Sequence, residues 1–556
     1  MRNILVTYAL IYANGQAHLG HLLGFIQTDI FCRFQKMQGN RCFYICGADM
    51  HGTPIMIRAQ EKGLAPAEMA HGIAKEQLAD FERFHIQFDE FHHTDSDENR
   101  DLSYQFYRKL EAKGDILRQT ISQAFDEEKQ MFLPDRFIKG TCPTCKTSDQ
   151  YGDSCEHCGA TYCPTDLIDP ISVLSGKPPI KKDSEHFFFD LPRYEARLRD
   201  WIQDHAKGHV QEAVANKLQE WLDAGLKPWD ISRDAPYFGF EIPEAPGKYF
   251  YVWLDAPIGY LASFKHYADT HTSSDQESQA LFNEFFQADS SAELYHFIGK
   301  DITYFHTLFW PALLMGSDTR LPTGVFTHGF LTVDGKKMSK SRGTFITANR
   351  YLRHLNPEYL RYYFAAKLGS QVEDIDLNLS DFMLRVNSDL VGKVINIASR
   401  SAGFLKKYFD NRLSENLFDK ELHQKLSEAA PLIAADYESR EYAAAVRKIM
   451  GLADLCNQFI DAQKPWSSIK EAGQEVPQSK THQVCTQGLN AFRHLMIYLK
   501  PILPELAEKT EFFLKIPSMK WNDSQDVLLD HSIEDFSPMM TRIDPKTLET
   551  MLHDSD

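Results

Sequence analysis

Residues 13–24 read Ala-Asn-Gly-Gln-Ala-His-Leu-Gly-His-Leu-Leu-Gly, and His18 and His21 lie three apart, on neighbouring positions of one face if the chain is helical there. An imidazole in either protonation state donates a hydrogen bond to a phosphate oxygen, and Gly20 leaves room for a nucleotide to approach. A helix start adds unsatisfied N–H groups and partial positive charge, which makes it a seat for an anion. The spacing is not that of a P-loop, because His21 and Leu22 stand where Lys and Ser/Thr are required after Gly15 and Gly20, and no G-x-G-x-x-G fingerprint follows the preceding strand. Taken alone, a pair of capping or surface histidines is the plain alternative.

A second segment lies three hundred residues on: Asp334-Gly-Lys-Lys-Met-Ser-Lys-Ser-Arg-Gly-Thr344 carries Lys336, Lys337, Lys340 and Arg342 between two glycines that allow movement. Such a run is commonly a solvated turn, but Lys-Met-Ser-Lys-Ser together with His-Leu-Gly-His is far more specific than either string. A third group, Cys142-Pro-Thr-Cys145 and, nine residues later, Cys155-Glu-His-Cys158, has the spacing of a closed tetrahedral zinc site of four thiolates. Four sulfurs leave no open position, so the expected ion is structural, and disulfide pairing is the alternative in an oxidising compartment. His157 and Cys163 are spare; Cys163, with Cys32, Cys42, Cys46, Cys456 and Cys485, reads as a reduced core thiol.

The elements that must position these groups follow from periodicity. Asn3 to Leu10 is a β-rich apolar run, and Leu22, Leu23, Phe25, Ile26, Ile30 and Phe34 recur at helical spacing, so the histidine pair sits on a strand–loop–helix junction. Residues 1–112 alternate strand-like runs, Cys42–Cys46 among them, with helical ones, which predicts a parallel doubly wound sheet. Residues 113–235 are rich in Cys, Pro and Gly and read as an insertion. Strand and helix signals resume at Phe250–Trp253 and Leu294–Ile298, so the sheet is expected to be interrupted and then completed. After about residue 385 strands fade, and Glu441–Val446 with Ile449, Leu452, Leu455 and Phe459 predicts a helix bundle.

A chain of 556 residues suggests three to five domains. No apolar run reaches the ~18 residues of a membrane span, and the apolar N-terminus lacks a basic region and cleavage pattern, so a cytoplasmic protein without membrane contact is expected. A net charge of −17 argues against a non-specific nucleic-acid coat but leaves room for a local basic stripe.

The two motifs resemble the signatures of class I aminoacyl-tRNA synthetases, and across nearly its whole length the chain resembles the methionyl-tRNA synthetases. Supporting stretches are Gly-Ala-Asp-Met-His-Gly-Thr-Pro (47–54), Trp-Asp-Ile-Ser-Arg-Asp-Ala-Pro (229–236), Tyr-Val-Trp-Leu-Asp-Ala-Pro-Ile-Gly-Tyr (251–260) and Phe-Ile-Gly-Lys-Asp (297–301). The resemblance implies an α/β fold: a Rossmann-like catalytic domain (1–112 and 236–325) split by a zinc-bearing connective insertion (113–235), then a basic-loop and stem-contact region (326–384), an α-helical anticodon-binding bundle (385–536) and a tail (537–556).

It also implies ligation of L-methionine to tRNA(Met), with ATP and its Mg²⁺ as co-substrate. No general base is needed, since the attacking carboxylate is already a nucleophile; the work is to hold two anions together and stabilise charge spreading over the phosphates. His18, His21, Lys337 and Lys340 would do this. ATP would further meet Gly20, Gly299, Asp301, His328 and Leu331. The methionine pocket would be built from Ala9, Leu10, Tyr12, Asp49, Arg233, Trp253, Pro257, Tyr260, Ile302, Phe305 and His306, with Asp49 on the ammonium and aromatic rings around a polarizable thioether. Core packing is the alternative for these aromatics, and Trp310 is left open between the two.

Relatives selecting branched aliphatics carry a large editing insertion, and the insertion here, about 120 residues, is short and cysteine-bearing. Ile11 stands where the family commonly has Pro, which leads to the expectation of a looser loop. In the bundle, Arg385, Lys393, Arg400, Lys406 and Lys407 against Asp389 form a basic stripe, and the resemblance assigns anticodon reading to Asn396, Arg400 and Trp466. Many relatives continue into a dimerising module; the acidic end at Asp556 leads to the expectation of a monomer. A nucleotidyltransferase without tRNA and a non-catalytic zinc-knuckle or RNA-binding protein are the competing classes.

Overall fold

The computed structural model describes residues 1–134, 137–152, 155, 157–158, 160, 166–204, 207–338, 345–467 and 480–554. The apolar run at the N-terminus forms β1 (Asn3–Tyr8), buried beyond its first residue. It lies parallel between two neighbours, Leu5 facing both Phe43 and Leu294. A strand covered on both faces has no polar side, which is why Ile4, Leu5 and Val6 run on without alternation and the buried Thr7 hydroxyl is hydrogen-bonded to His296.

After β2 (Ile11–Tyr12) comes helix α1 (Leu19–Met37), whose Leu22, Leu23, Phe25, Ile26, Ile30 and Phe34 are all buried. β3 (Arg41–Asp49) pairs with β1, with β2 and with the short β4 (Glu90–His93). Glu293–Gly299 then joins the other edge of β1, and Gly324–His328 joins that strand, every pairing in this sheet being parallel. The sheet is thus completed by strands that follow the intervening segment, as expected.

That segment carries a long antiparallel pair, Ile116–Asp126 with Ile180–Phe189, and a three-stranded sheet of Ile138–Thr141, Gln150–Tyr151 and Ile168–Ser172. It has its own small core of Ala124, Leu133, Phe137, Ile138 and Leu167. Val252 and Trp253 belong to a helix, Val252–His271, that follows the three-residue strand Lys248–Phe250.

Beyond Ile375–Leu377 no strand occurs among the described residues. Lys480–Leu499 forms the centre of the bundle, buried at every position from Val484 onward. The helix Tyr442–Gln463 packs against it through Ala445, Ile449, Ala453, Cys456 and Ile460, whereas Leu455 points to solvent. Val446 and Ile449 of the predicted stripe are buried, and beyond them the buried face lies one position on, at Ala453, Cys456 and Ile460. A buried ion pair, Arg361 Nη2 to Asp29 Oδ2 at 2.6 Å, ties α1 to the helix Pro357–Ala365, and Arg361 also donates to the carbonyls of Ile502 in the bundle and of Phe84. Cys32, Cys42, Cys46, Cys456 and Cys485 are buried and unbridged, and Cys163 lies outside the described residues. No described helix is long and apolar enough to cross a membrane.

Candidate active site

His18 is the N-cap of α1 in extended conformation: its Nδ1 accepts the Gly20 N–H at 3.1 Å, while His21 Nδ1 accepts the His18 N–H at 3.4 Å. This reciprocal cap satisfies two orphan N–H groups of the helix start and explains the i, i+3 spacing. The rings stack at 3.6 Å between centroids. With both Nδ1 atoms accepting from backbone, each neutral ring carries its proton on Nε2. Burial, then the neighbouring His18, pushes His21 well below the usual histidine range, so it is a neutral donor.

The basic loop starts and ends at this pair. On entry, a β-carbon placed on Gly20 would lie 2.4 Å from Met338 Cε and 3.0 Å from the His18 ring, so any larger residue must displace the Met338 methyl. On return, the Phe345 ring packs edge-on to His18 at 5.0 Å, Leu19 N–H donates to Ile346 O at 3.1 Å, and Ala348 N–H donates to Ala17 O at 2.9 Å. Lys340 and the Lys337 side chain lie outside the described residues; the Lys337 backbone pairs with Thr332 in the hairpin leading into the loop.

A cleft of ≈ 1650 Å³ opens on these groups, and His18, Gly20, His21, Gly299, Asp301, His328 and Leu331 all line it. His328 Nδ1–H donates to Gly329 O at 2.7 Å, so its Nε2 accepts from Tyr8 OH at 3.0 Å. Burial lowers its pKa, keeping it neutral.

Ala9, Leu10, Tyr12, Asp49, Arg233, Trp253 and Ile302 line the same cleft. Asp49 ends β3, where β2 pairs Tyr12 with it and Ala13 N–H donates to its carbonyl at 2.8 Å. Ile11, buried and paired with Ala48, holds the loop by strand pairing, where a proline would hold it by a fixed φ. Asp49 Oδ1 is buried with no hydrogen-bond partner among the described residues. Burial and then the like charge of Asp255 push its pKa up to about 8.

Beneath it lies a group that the sequence reading missed. His51 Nδ1 sits 2.6 Å from Asp255 Oδ2, and its Nε2 3.4 Å from Asp95 Oδ1. Burial alone would strip the ring of its proton, but Asp255 and Asp95 overcome this and hold His51 at about 10. The available signal was His51 two residues after Asp49 and Asp255 two after Trp253, on segments that only the fold brings together.

Pro257, Tyr260, Phe305 and His306 do not line the open cleft. Phe305 stacks on Trp253 at 3.6 Å, and Tyr260 OH donates to His306 Nε2 at 2.7 Å while His306 Nδ1–H donates to Ile302 O. Arg233 lies 3.8 Å over the Tyr251 ring. Trp310 is core: fully buried, its indole N–H donates to His296 Nε2 at 3.1 Å.

Two further groups stand apart. Cys142, Cys145, Cys155 and Cys158 converge, with Sγ–Sγ separations of 3.9 Å (142–158) and 3.5 Å (145–155), near the ~3.8 Å edge of a tetrahedral zinc–thiolate site. The Cys145 and Cys158 N–H groups each donate to the sulfur three residues earlier at 3.4 Å, the backbone contact of a C-x-x-C turn. These residues fit zinc and exclude disulfide-length contacts.

In the bundle, Asn396 opens the helix Asn396–Tyr408, and the Arg400 guanidinium lies 5.1 Å from the half-exposed Trp466 ring. The basic stripe is largely paired with acids: Arg385 with Asp381, Lys393 with Asp454, Arg400 with Asp461 and Lys406 with Asp535.

The family model of tRNA synthetases class I (M) matches residues 4–402. Among solved structures, Mycobacterium tuberculosis methionyl-tRNA synthetase in complex with methionyl-adenylate is similar over 97% of this chain and 99% of that one, with a TM-score of 0.79 at 24% identity. The apo form of the same Mycobacterium tuberculosis enzyme gives 0.72 at 22% identity over 98% and 99%. At that identity the likeness establishes the fold. The family match runs from β1 through both motifs and into the helix that bears Asn396 and Arg400, and so the chain belongs to the class I tRNA synthetases.

Proposed function

We propose that the chain is a methionine–tRNA ligase, activating L-methionine with ATP and passing the methionyl group to tRNA(Met). The observation that carries this reading is the loop of Lys337 and Lys340 beginning and ending at the stacked imidazoles, on a cleft that also holds a buried, half-satisfied carboxylate beside aromatic rings. Relatives that activate methionine share this fold.

In the first step the methionine carboxylate oxygen attacks the α-phosphorus, and the bond from that phosphorus to the bridging oxygen of pyrophosphate breaks. His18 and His21 present Nε2–H to the phosphates, and Lys337 and Lys340 neutralise the departing pyrophosphate, whose Mg²⁺ enters with ATP. His328, Leu331 and Gly299 receive the nucleoside, and Asp301 accepts from ribose hydroxyls. Asp49 Oδ1 takes the ammonium and Arg233 faces the carboxylate. Trp253, with Ala9, Leu10, Tyr12 and Ile302, lines the thioether pocket, and Phe305, stacked on Trp253, backs it together with Pro257, Tyr260 and His306. Its neutral His306, held at about 4 by burial, keeps a charge out of an apolar site.

In the second step a terminal tRNA hydroxyl attacks the adenylate carbonyl and AMP leaves. Trp466 stacks an anticodon base, while Asn396 and Arg400 read base edges. The four cysteines hold one structural zinc, which takes no part in the chemistry.

ATP–pyrophosphate exchange measured with each of the twenty amino acids tests the substrate. Exchange with methionine alone is expected; equal exchange with leucine or isoleucine overturns the assignment.

A further inference from the structure

On the sheet edge away from the cleft motifs, Glu90 and His92 alternate onto one face of β4, opposite His266 of the helix Val252–His271. His266 Nδ1 lies 3.2 Å from Glu90 Oε2, and the His92 and His266 rings stack at 4.2 Å with planes 10° apart. One ligand atom from each of the three residues falls within 4.8 Å of the other two. His92 Nε2 stands 3.3 Å from Glu98 Oε2, so that nitrogen carries the proton and the other keeps its lone pair.

We propose that Glu90, His92 and His266 form a second metal site, taking one divalent transition-metal ion of the zinc class and stapling β4 to the helix Val252–His271. Three observations carry it. The donor set, two imidazoles and a carboxylate, is one that zinc takes. The second nitrogen of His92 is oriented by a carboxylate, as outer partners orient metal-bound histidines. And His266 Nδ1, although beside Glu90, is buried without a properly aligned hydrogen bond, so the trio lacks something between its members. The three ligand atoms lie within 4.8 Å of one another where a tetrahedral N/O site has edges of ~3.3 Å, and rotation of the partly exposed Glu90 and His266 side chains draws them in.

The site has a consequence for the cleft. β4 runs on to Asp95, which holds His51, and the stapled helix begins with Trp253 and Asp255. An ion there joins the two segments that support Asp49.

The test uses the whole chain with its knuckle zinc in place, titrated with Co²⁺ and followed by absorption and metal analysis. One further equivalent is expected, without the strong sulfur-to-cobalt absorption of a thiolate site. Its affinity should fall ~10-fold or more in His266→Gln and, separately, in Glu90→Gln, both retaining ATP–pyrophosphate exchange as evidence of folding. His71→Gln, outside the trio, should bind as the parent does. No extra equivalent in the parent chain, or unchanged affinity in both ligand variants, overturns the proposal.

Discussion

The Met338 methyl rests on the α-carbon of Gly20, so closely that a β-carbon there would stand 2.4 Å from it. Two segments more than three hundred residues apart are thus keyed together at one atom. Gly20→Ala should displace both Met338 and the His18 ring; a shift of ~1 Å in such groups costs ~10²-fold in rate. Adenylate formation should fall by that order with little change in thermal stability. Adding Met338→Ala should restore part of the loss, and a double mutant as slow as the product of the two singles would mean that the contact carries no coupling.

Methionine binding should strengthen with rising pH. Asp49, pushed up to about 8, is protonated in the free protein below that value, and pairing with an ammonium requires loss of that proton. The dissociation constant should therefore fall up to ~10-fold per pH unit between about pH 6 and 8 and then level off. Calorimetry across this range checks the slope, and Asp49→Asn should weaken binding and flatten it.

His51→Gln takes the cationic partner from the buried Asp255 carboxyl, and breaking a buried pair in this way costs ~3–5 kcal/mol in comparable sites. Denaturant unfolding should show this loss. Adding Asp255→Asn should recover part of the stability, because no ionisable group is then buried there without its partner.

Cys145→Ser removes one of four converging sulfurs, and its zinc affinity should fall by more than the ~10–100-fold that outer-shell changes cost. Competition with a chelator measures it.

Trp466→Ala should raise the KM for tRNA by roughly 5–150-fold, the equivalent of ~1–3 kcal/mol of base stacking, and leave pyrophosphate exchange intact. Loss of both activities would identify Trp466 as a packing residue.

The histidine junction, the interrupted sheet and the cysteine knuckle were legible because each rests on local spacing: i, i+3 capping, period-two or continuous apolar runs, and paired C-x-x-C turns. His51 with Asp255 was not, since each alone is an ordinary polar residue and their meeting depends on β3 lying beside the helix Val252–His271. The basic stripe was legible as charge but not as paired charge. Lys393 with Asp454 and Arg400 with Asp461 both join residues 61 apart, a register set only once two bundle helices pack in parallel. Leu455 shows the same limit: the helix was readable, but which neighbour it faces decides which leucine is buried.

The convergence of imidazoles and lysines on one triphosphate is tested most directly by methionine-dependent ATP–pyrophosphate exchange in Lys340→Ala. The account predicts a ~10²–10³-fold loss with methionine affinity unchanged; exchange at the parent rate would contradict it.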